Sequence, residues 1–593
     1  MKALTTKLTG LFADAFAALG LDRSYGEVVL SNRPDLADFQ CNGALPAAKE
    51  ARKNPRELAQ AVIAALDEGV QETMLAEVTV AGPGFINIRV RDDFLAQHVA
   101  EMAADERLGI PELEEPRTVV LDFGGANVAK RMHIGHLRPS IIGDSLQRIF
   151  RCYGHRVISD IHMGDWGTNM GQLIAEIERR QPDLPYFDPD YTGPYPEESP
   201  VTMDDLGEIY PAASARFKAD PEFAEVARRA TKELQARRPG YFALWQHFVD
   251  VSIAALREDF ERLDVSFDLW LGESHAYDLI APLADRLREQ GIARDSAGAL
   301  IVDVSQPDDK SEIPPMMLLK SDGSVLYGTT DLATIALRVE EFGAEMIFYV
   351  VDVRQSLHFE QVFRVARLAG IAPAGKVVLE HLPNGTINGP DGRPFKTRAG
   401  GVPTLKEVMD MVVDKARERL DELEAARAYS AAQREQIAER VGIAALKFGD
   451  LINHRSTDYV FDLDRFTSFE GRTGPYLLYA AVRTKSILRN AAERGLASGA
   501  ILPPAGPEER DLMLKLVQLP DVIDFAVKTR APNHVADYVY NLAITFNRFY
   551  RDYHILSEPD PARQQSWLAL SQYALAQLEL GLDLLGIKVP ERM

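Results

Sequence analysis

The chain has 593 residues, of which 46% are hydrophobic and 26% charged, and a formal net charge of −22. That length and composition suit several globular domains with cores of their own and exclude fibrous or disordered chains, and the acidic balance argues against a protein that grips nucleic acid by its overall field. No run of eighteen apolar residues and no basic leader with an apolar core are present, and Cys41 and Cys152 cannot build a disulfide framework or a structural metal site, so a cytoplasmic protein without membrane contact is expected.

In chain order, Leu4 to Leu19 carries Leu8, Leu11, Phe12, Ala15, Phe16 and Leu19 at helical spacing, and Phe85 to Val90 alternates as a half-buried strand. Gly82-Pro83-Gly84 reads as the turn before that strand, since it lacks the third glycine of a dinucleotide fingerprint. Residues 1–112 are expected to form an α/β domain, ended by the acidic, proline-bounded stretch Pro111 to Pro116.

From about 113 to 405 strands and helices alternate. Strands are predicted at Val119–Phe123, Arg156–Ile161, Leu300–Val304, Met316–Leu319, Met346–Val353 and Lys376–Leu382. Such alternation implies a mostly parallel sheet with its ligand at the carboxyl ends of the strands. Asp183 to Asp205 is rich in Pro, Asp, Glu and Tyr without periodicity, and an insertion is expected over about 183–260. No GxxxxGK[ST] occurs, so this is not a P-loop protein.

The most informative stretch is Asp122-Phe123-Gly124-Gly125-Ala126-Asn127-Val128-Ala129-Lys130-Arg131-Met132-His133-Ile134-Gly135-His136. It lies between an apolar strand, Arg117 to Leu121, and a helical pattern from Leu137 to Tyr153 with Pro139 in its first turn. A glycine-rich turn leading into a helix N-terminus gathers unpaired backbone N–H groups and suits phosphate, and Lys130, Arg131, His133 and His136 add side-chain donors. Gly135 would admit a flat base or ribose close to the backbone. A helix cap with two ordinary polar histidines is the plainer alternative; a metal pair would need partner ligands that are not evident.

From about 406 to 593 the pattern is helical, with helices predicted at 432–452, 474–491, 507–531, 534–555 and 563–586. Tyr476, Tyr479 and Arg483 share one helical face near Arg472, Lys485 and Arg489, and Arg548 lies in the similar run Phe546 to Arg551. Aromatic and basic residues in this arrangement suit RNA, though a solvated charged face would look the same.

Asn127-Val128-Ala129-Lys130 ahead of His133-Ile134-Gly135-His136, followed by Leu137-Arg138 and Ile142-Gly143-Asp144, strongly resembles the class I arginyl-tRNA synthetases. Gly164-Asp165-Trp166-Gly167 and Phe395 to Gly401 resemble further segments of that family, so the likeness spans nearly the whole chain. It implies a multidomain α/β protein: a Rossmann-like, parallel-sheet catalytic domain (113–405), an N-terminal α/β domain that contacts tRNA (1–112) and an all-α, anticodon-binding C-terminal bundle (406–593). The implied activity is ATP-dependent joining of L-arginine to tRNA(Arg) by a monomer, with magnesium accompanying ATP and no structural metal.

The resemblance also implies residue roles. His133, His136, Lys130 and Lys396 would be catalytic, with Gly135, His133, His136, Lys396 and Arg398 at ATP. Asp122, Asn127, His133, Tyr327, Asp331 and Gln355 would hold arginine, and Phe39, Asn42, Arg472, Tyr476, Tyr479, Arg483 and Arg548 would meet tRNA. The Lys-Met-Ser-Lys-Ser loop common in class I enzymes is absent; Phe395-Lys396-Thr397-Arg398 stands in its place, and Lys130 would supply part of the missing charge. Gly124-Gly125-Ala126 replaces a Ser-Ser-Pro found in some members, which removes a hydroxyl contact, and Leu478 stands where glutamine is expected. Another class I synthetase, such as the cysteinyl kind, and an inactive tRNA-binding paralogue are the competing readings.

Overall fold

A computed structural model describes residues 2–321, 323–395, 402–422 and 429–593. The chain divides into two compact units, one of Met1–Glu114, Leu423–Phe448 and Thr467–Met593, the other of Glu115–Glu422 and Gly449–Phe466.

In the first unit the strands β1 (Val28–Leu30), β2 (Phe39–Cys41), β3 (Leu75–Ala81) and β4 (Phe85–Val90) form an antiparallel sheet in the order β1-β2-β4-β3. The turn at Gly82 and Gly84 takes positive φ, as glycine permits. The N-terminal helix, Leu4–Ala18, buries Leu4, Leu8, Phe12, Ala15 and Phe16, the face its sequence spacing predicts. In the C-terminal part the helix Ala431–Leu451 is followed by Gly474–Glu493, Pro507–Leu516, Leu519–Thr529, Asn533–Asp552 and Pro561–Leu584. The single helix predicted over 507–531 is broken in two. Pro520 lies in the first turn of the second piece, where it lacks an N–H and would clash with a preceding helical turn. Arg510 ties the sheet to this helical part by donating to both Asp38 oxygens at 2.7 and 2.9 Å and to Asp92 at 2.7 Å.

The second unit is built on a parallel sheet. β5 (Thr118–Asp122) pairs with β6 (Arg156–Asp160) on one side and with β10 (Met346–Asp352) on the other, and β10 pairs with β11 (Val378–Asn384). Between these lies an antiparallel sheet of β7 (Arg294–Ser296), β8 (Ala299–Val302) and β9 (Met316–Leu319). A short parallel pair joins β12 (Ile387–Asn388) to β13 (Tyr459–Val460). The chain leaves β5 in opposite directions to reach β6 and β10, which opens a crevice at the carboxyl ends of β5 and β10. All four strands of the β6-β5-β10-β11 sheet end in a polar residue, Asp160, Asp122, Asp352 and Asn384, so this edge of the sheet is chemically distinct. Helices Met203–Ala219, Pro221–Gln235 and Pro239–Arg262 occupy the region expected as an insertion and share a core of Trp166, Tyr186, Trp245 and Phe248.

Candidate active site

The signature stretch leaves β5 at Asp122 and turns on Gly124 and Gly125, both at positive φ, and on Ala129 at φ 63°. Asn127 bridges to Gly164, and the main chain then enters a single 3₁₀ turn, Ile134–His136, before the helix Leu137–Tyr153.

The free backbone donors expected here are already engaged. The His133 N–H donates to His136 Nδ1 at 3.1 Å, Gly135 N–H to His133 Nδ1 at 3.0 Å, His136 N–H to the His133 carbonyl at 2.8 Å and Ile134 N–H to the Pro403 carbonyl at 3.1 Å. The consequence falls on the imidazoles. Because each Nδ1 accepts a hydrogen bond, the proton of each neutral ring resides on Nε2. Burial, reinforced by Lys130, holds His133 below the ordinary imidazole range; burial, with His133 beside it, lowers His136 to about 4. At neutral pH the site therefore presents two uncharged rings, centroids 4.1 Å apart, each with an Nε2–H donor. The space a Cβ would take at Gly135 is filled by the His133 ring, whose Cε1 would lie 2.7 Å away, so the glycine is required by the histidine itself. Lys130 places its ammonium 4.7 Å from the Tyr210 ring centre, whereas Arg131 pairs with Asp204.

At the strand ends, Arg338 is fully buried; one of its nitrogens donates to Asp122 at 2.7 Å and to Asp160 at 2.9 Å, and its guanidinium faces the Tyr349 ring at 5.3 Å. Burial alone would raise the Asp160 pKa. His162, its ring nitrogen 3.6 Å away, and Arg338 outweigh burial and hold Asp160 well below the usual carboxylate range.

Tyr327 opens the helix Tyr327–Glu340 and is 67% exposed; Asp331, one turn on, contacts His358 Nε2 at 2.5 Å. Gln355 is exposed at the end of a 3₁₀ turn after β10. Sequence reasoning missed Glu273. Its carboxyl is pushed up to about 7 by burial, with the negative charges of Asp165 and Asp331 adding to the shift and His162 opposing it. The Gly272–Ser274 loop is held by Asp165, which accepts from the Ser274 N–H at 2.9 Å and hydroxyl at 2.6 Å. Lys396 and Arg398 lie outside the described residues.

Of the residues assigned to tRNA, Phe39 is 1% exposed, its ring part of the core of the sheet, whereas Asn42 nearby is exposed. Tyr479 is 49% exposed, Arg548 is exposed, and exposed Arg483 covers the Tyr550 ring at 4.8 Å. Tyr476 is half-buried and its hydroxyl accepts from Asn547 at 2.9 Å, while Arg472 pairs with Asp537. Leu478 is fully buried, so apolar packing accounts for it.

A family model described as "tRNA synthetases class I (R), catalytic domain" matches residues 98–463. The chain belongs to the class I arginyl-tRNA synthetase family. Two further models, the arginyl-tRNA synthetase N-terminal domain and the DALR anticodon-binding domain, match residues 6–90 and 477–593. Proteins named arginine–tRNA ligase from Maricaulis maris and Alkaliphilus oremlandii are 51% and 49% identical to it, each covering 100% of both chains. The fold is shared with solved arginyl-tRNA synthetases of Plasmodium falciparum (TM-score 0.83, 23% identity) and Thermus thermophilus (TM-score 0.79, 24% identity), both covered over 100% of each chain. Within this synthetase family the parallel sheet and helical C-terminal region are common ground. Among the described residues no helix is long and apolar enough to cross a membrane, and no group of three or more His, Cys, Asp or Glu side chains could hold a metal ion.

Proposed function

We propose that this chain is an arginine–tRNA ligase: it activates L-arginine with ATP to arginyl-adenylate, releases pyrophosphate, and transfers the arginyl group to tRNA(Arg), releasing AMP. The observation that carries the reading is the pair of imidazoles whose Nδ1 atoms accept backbone N–H groups, leaving two Nε2–H donors at the start of the helix that follows β5.

The arginine carboxylate attacks the α-phosphorus and pyrophosphate leaves, so no protein nucleophile is needed; orientation and stabilisation of phosphate charge are the protein's work. His133 and His136 donate to phosphate oxygens as charge builds, Lys130 and Lys396 supply cations, and Arg398 assists. Gly135 admits the His133 ring against the turn at the ATP site. Magnesium enters with ATP as part of the substrate. Asp331 and Glu273 receive the guanidinium, a planar cation suited to carboxylate pairs, with Tyr327 along its stem and Gln355 at the rim. Asp122 and Asn127 hold the α-amino group and backbone of the amino acid. Residues 1–112, through Asn42, and residues 406–593, through Arg472, Tyr476, Tyr479, Arg483 and Arg548, bind the tRNA. The protein acts in the cytoplasm as a monomer.

Aminoacylation of bulk tRNA with arginine against the other amino acids tests this reading. Arginine alone should be charged; charging of another amino acid, or none in the presence of ATP and tRNA, would refute it.

A further inference from the structure

Directly after the second signature histidine and Leu137 comes Arg138, whose side chain is 1% exposed. Its Nε lies 2.9 Å from Asp450 Oδ2, its Nη1 donates to the Thr457 carbonyl at 2.8 Å, and its guanidinium covers the Tyr459 ring at 5.1 Å. Asp450 is likewise fully buried. The Tyr459 hydroxyl, also buried, hydrogen-bonds with Asp450, while Arg138 Nη2 is buried without a hydrogen-bond partner among the described residues. A buried ion pair with an unsatisfied nitrogen is a poor device for stability, because desolvation offsets much of its attraction. Its location supplies another purpose.

Tyr459 lies in β13, which pairs with β12. Around that pair, the Gly385 N–H donates to the Arg455 carbonyl at 2.9 Å, Thr386 N–H to Asp458 at 2.7 Å and Phe461 N–H to the Asn388 carbonyl at 2.8 Å. β12 continues into a hairpin closed by an Asn388–Pro394 bridge and by Gly389 N–H to the Arg393 carbonyl at 2.7 Å. The Phe395 ring then packs on Phe461 at 5.0 Å. Farther along, Pro403, Thr404 and Leu405 pair with the backbone of the signature itself: Ile134 N–H donates to the Pro403 carbonyl at 3.1 Å, Leu405 N–H to the Met132 carbonyl at 2.9 Å, and Thr404 bridges to His133. The second of these stretches is thus fastened to the histidines by main chain. The first is fastened to their helix by the Arg138 cluster.

We propose that Arg138 and Asp450 are positioning residues, holding the first turn of the signature helix in register with β13, β12 and the 388–394 hairpin so that the two Nε2–H donors meet the phosphate at the correct angle. Neither residue touches substrate. The proposal rests on the ligase reading for what the histidines do, but the linkage between the elements can be read without it.

The test compares the full-length protein with Asp450→Asn, which keeps the shape and one acceptor, and with Arg138→Lys, which keeps the charge but cannot reach Asp450 and Thr457 together. Arginine-dependent ATP–pyrophosphate exchange in the presence of tRNA should lose at least tenfold in kcat, with the KM for arginine within twofold. Amide hydrogen exchange should accelerate about tenfold in 386–394 and 455–461 and remain unchanged in β5, β6 and β10. An unchanged kcat, or an arginine KM that rises as much as kcat falls, overturns the positioning role; unchanged local exchange overturns the linkage. A wild-type protein without arginine-dependent turnover would refute the ligase reading alone, leaving the linkage to be judged on exchange. Should Arg138→Lys not fold, Asp450→Asn decides both points.

Discussion

Arg338 donates to Asp122 at 2.7 Å from inside the core, through the same nitrogen that donates to Asp160 at 2.9 Å. One fixed cation is therefore shared by two carboxylates at adjacent strand ends. Replacing Arg338 with Met would strand both acids, and loss of one partner from a buried pair costs about 3–5 kcal/mol. We expect Arg338→Met to unfold at lower urea than wild type, with part of the loss recovered in Arg338→Met/Asp160→Asn. Equal unfolding midpoints for wild type and Arg338→Met would contradict the assignment.

Glu273 yields a pH dependence. Its carboxyl titrates at about 7, raised by burial and neighbouring acids, so it is protonated below that pH and offers less attraction to a guanidinium. The kcat/KM for arginine, which reports the free enzyme, should fall as pH drops through 7, and Glu273→Gln should remove that limb while lowering kcat/KM at pH 8. Stability runs the other way. For an acid raised in the fold from 4.5, destabilisation begins near pH 4.5 as the unfolded chain ionises and is complete above about 7. Glu273→Gln should therefore melt on the order of 3 °C higher than wild type at pH 8 and at the same temperature at pH 4. Identical pH profiles for arginine would sink this role.

How much of this was legible in the sequence depended on whether the signal was local. The helix Leu4–Ala18 was readable because its burial follows period 3.6 within one segment, and β4 and the helix Leu137–Tyr153 because their apolar residues keep period 2 or 3.6, although polar residues between them such as Asn87, Arg138 and Asp144 are buried as well. Tyr327 and Asp331, named through the resemblance, lie four residues apart on one face of their helix. Glu273 could not be found that way: it follows an irregular loop, and its place is fixed by Asp165 through Ser274. Nor could Arg338, which sits in the last turn of its helix, where a basic residue ordinarily complements the dipole. The backbone N–H groups expected to face phosphate beside these side-chain donors are instead taken up by the imidazoles and the Pro403 carbonyl, a tertiary arrangement without local pattern.

The histidines themselves should act by hydrogen bonding, not charge. Removal of one preorganised donor typically costs about 10²–10³ in kcat. His136→Ala should show a loss of that size with the arginine KM within about threefold, since the ring serves phosphate chemistry more than amino-acid binding. With His136 at about 4 and His133 lowered by burial, no limb in kcat from imidazole protonation should appear between pH 8 and 6. A kcat limb near the ordinary histidine range that vanishes in His136→Ala would mean that the rings are charged when they work.

The remaining expectation concerns tRNA against a chain of net charge −22. Such a background repels RNA in general, so affinity has to come from a few local cations, and each phosphate contact adds a salt-dependent increment. Arg483 and Arg548 are exposed and in no direct ion pair among the described residues, Arg548 feeling only the nearby charge of Asp511, whereas Arg472 is paired with Asp537 and Lys485 with Glu579 and Glu591. Arg483→Ala and Arg548→Ala should each weaken tRNA binding about 5–10-fold at low salt and reduce the slope of log K against log salt by roughly 0.7–0.9, while Arg472→Ala should do less, because its charge is already offset. Filter binding or anisotropy over a salt series measures both quantities. Should Arg472→Ala weaken binding most, the tRNA-facing surface would have to be redrawn around residues 472 and 537, with the ion pair opening on contact.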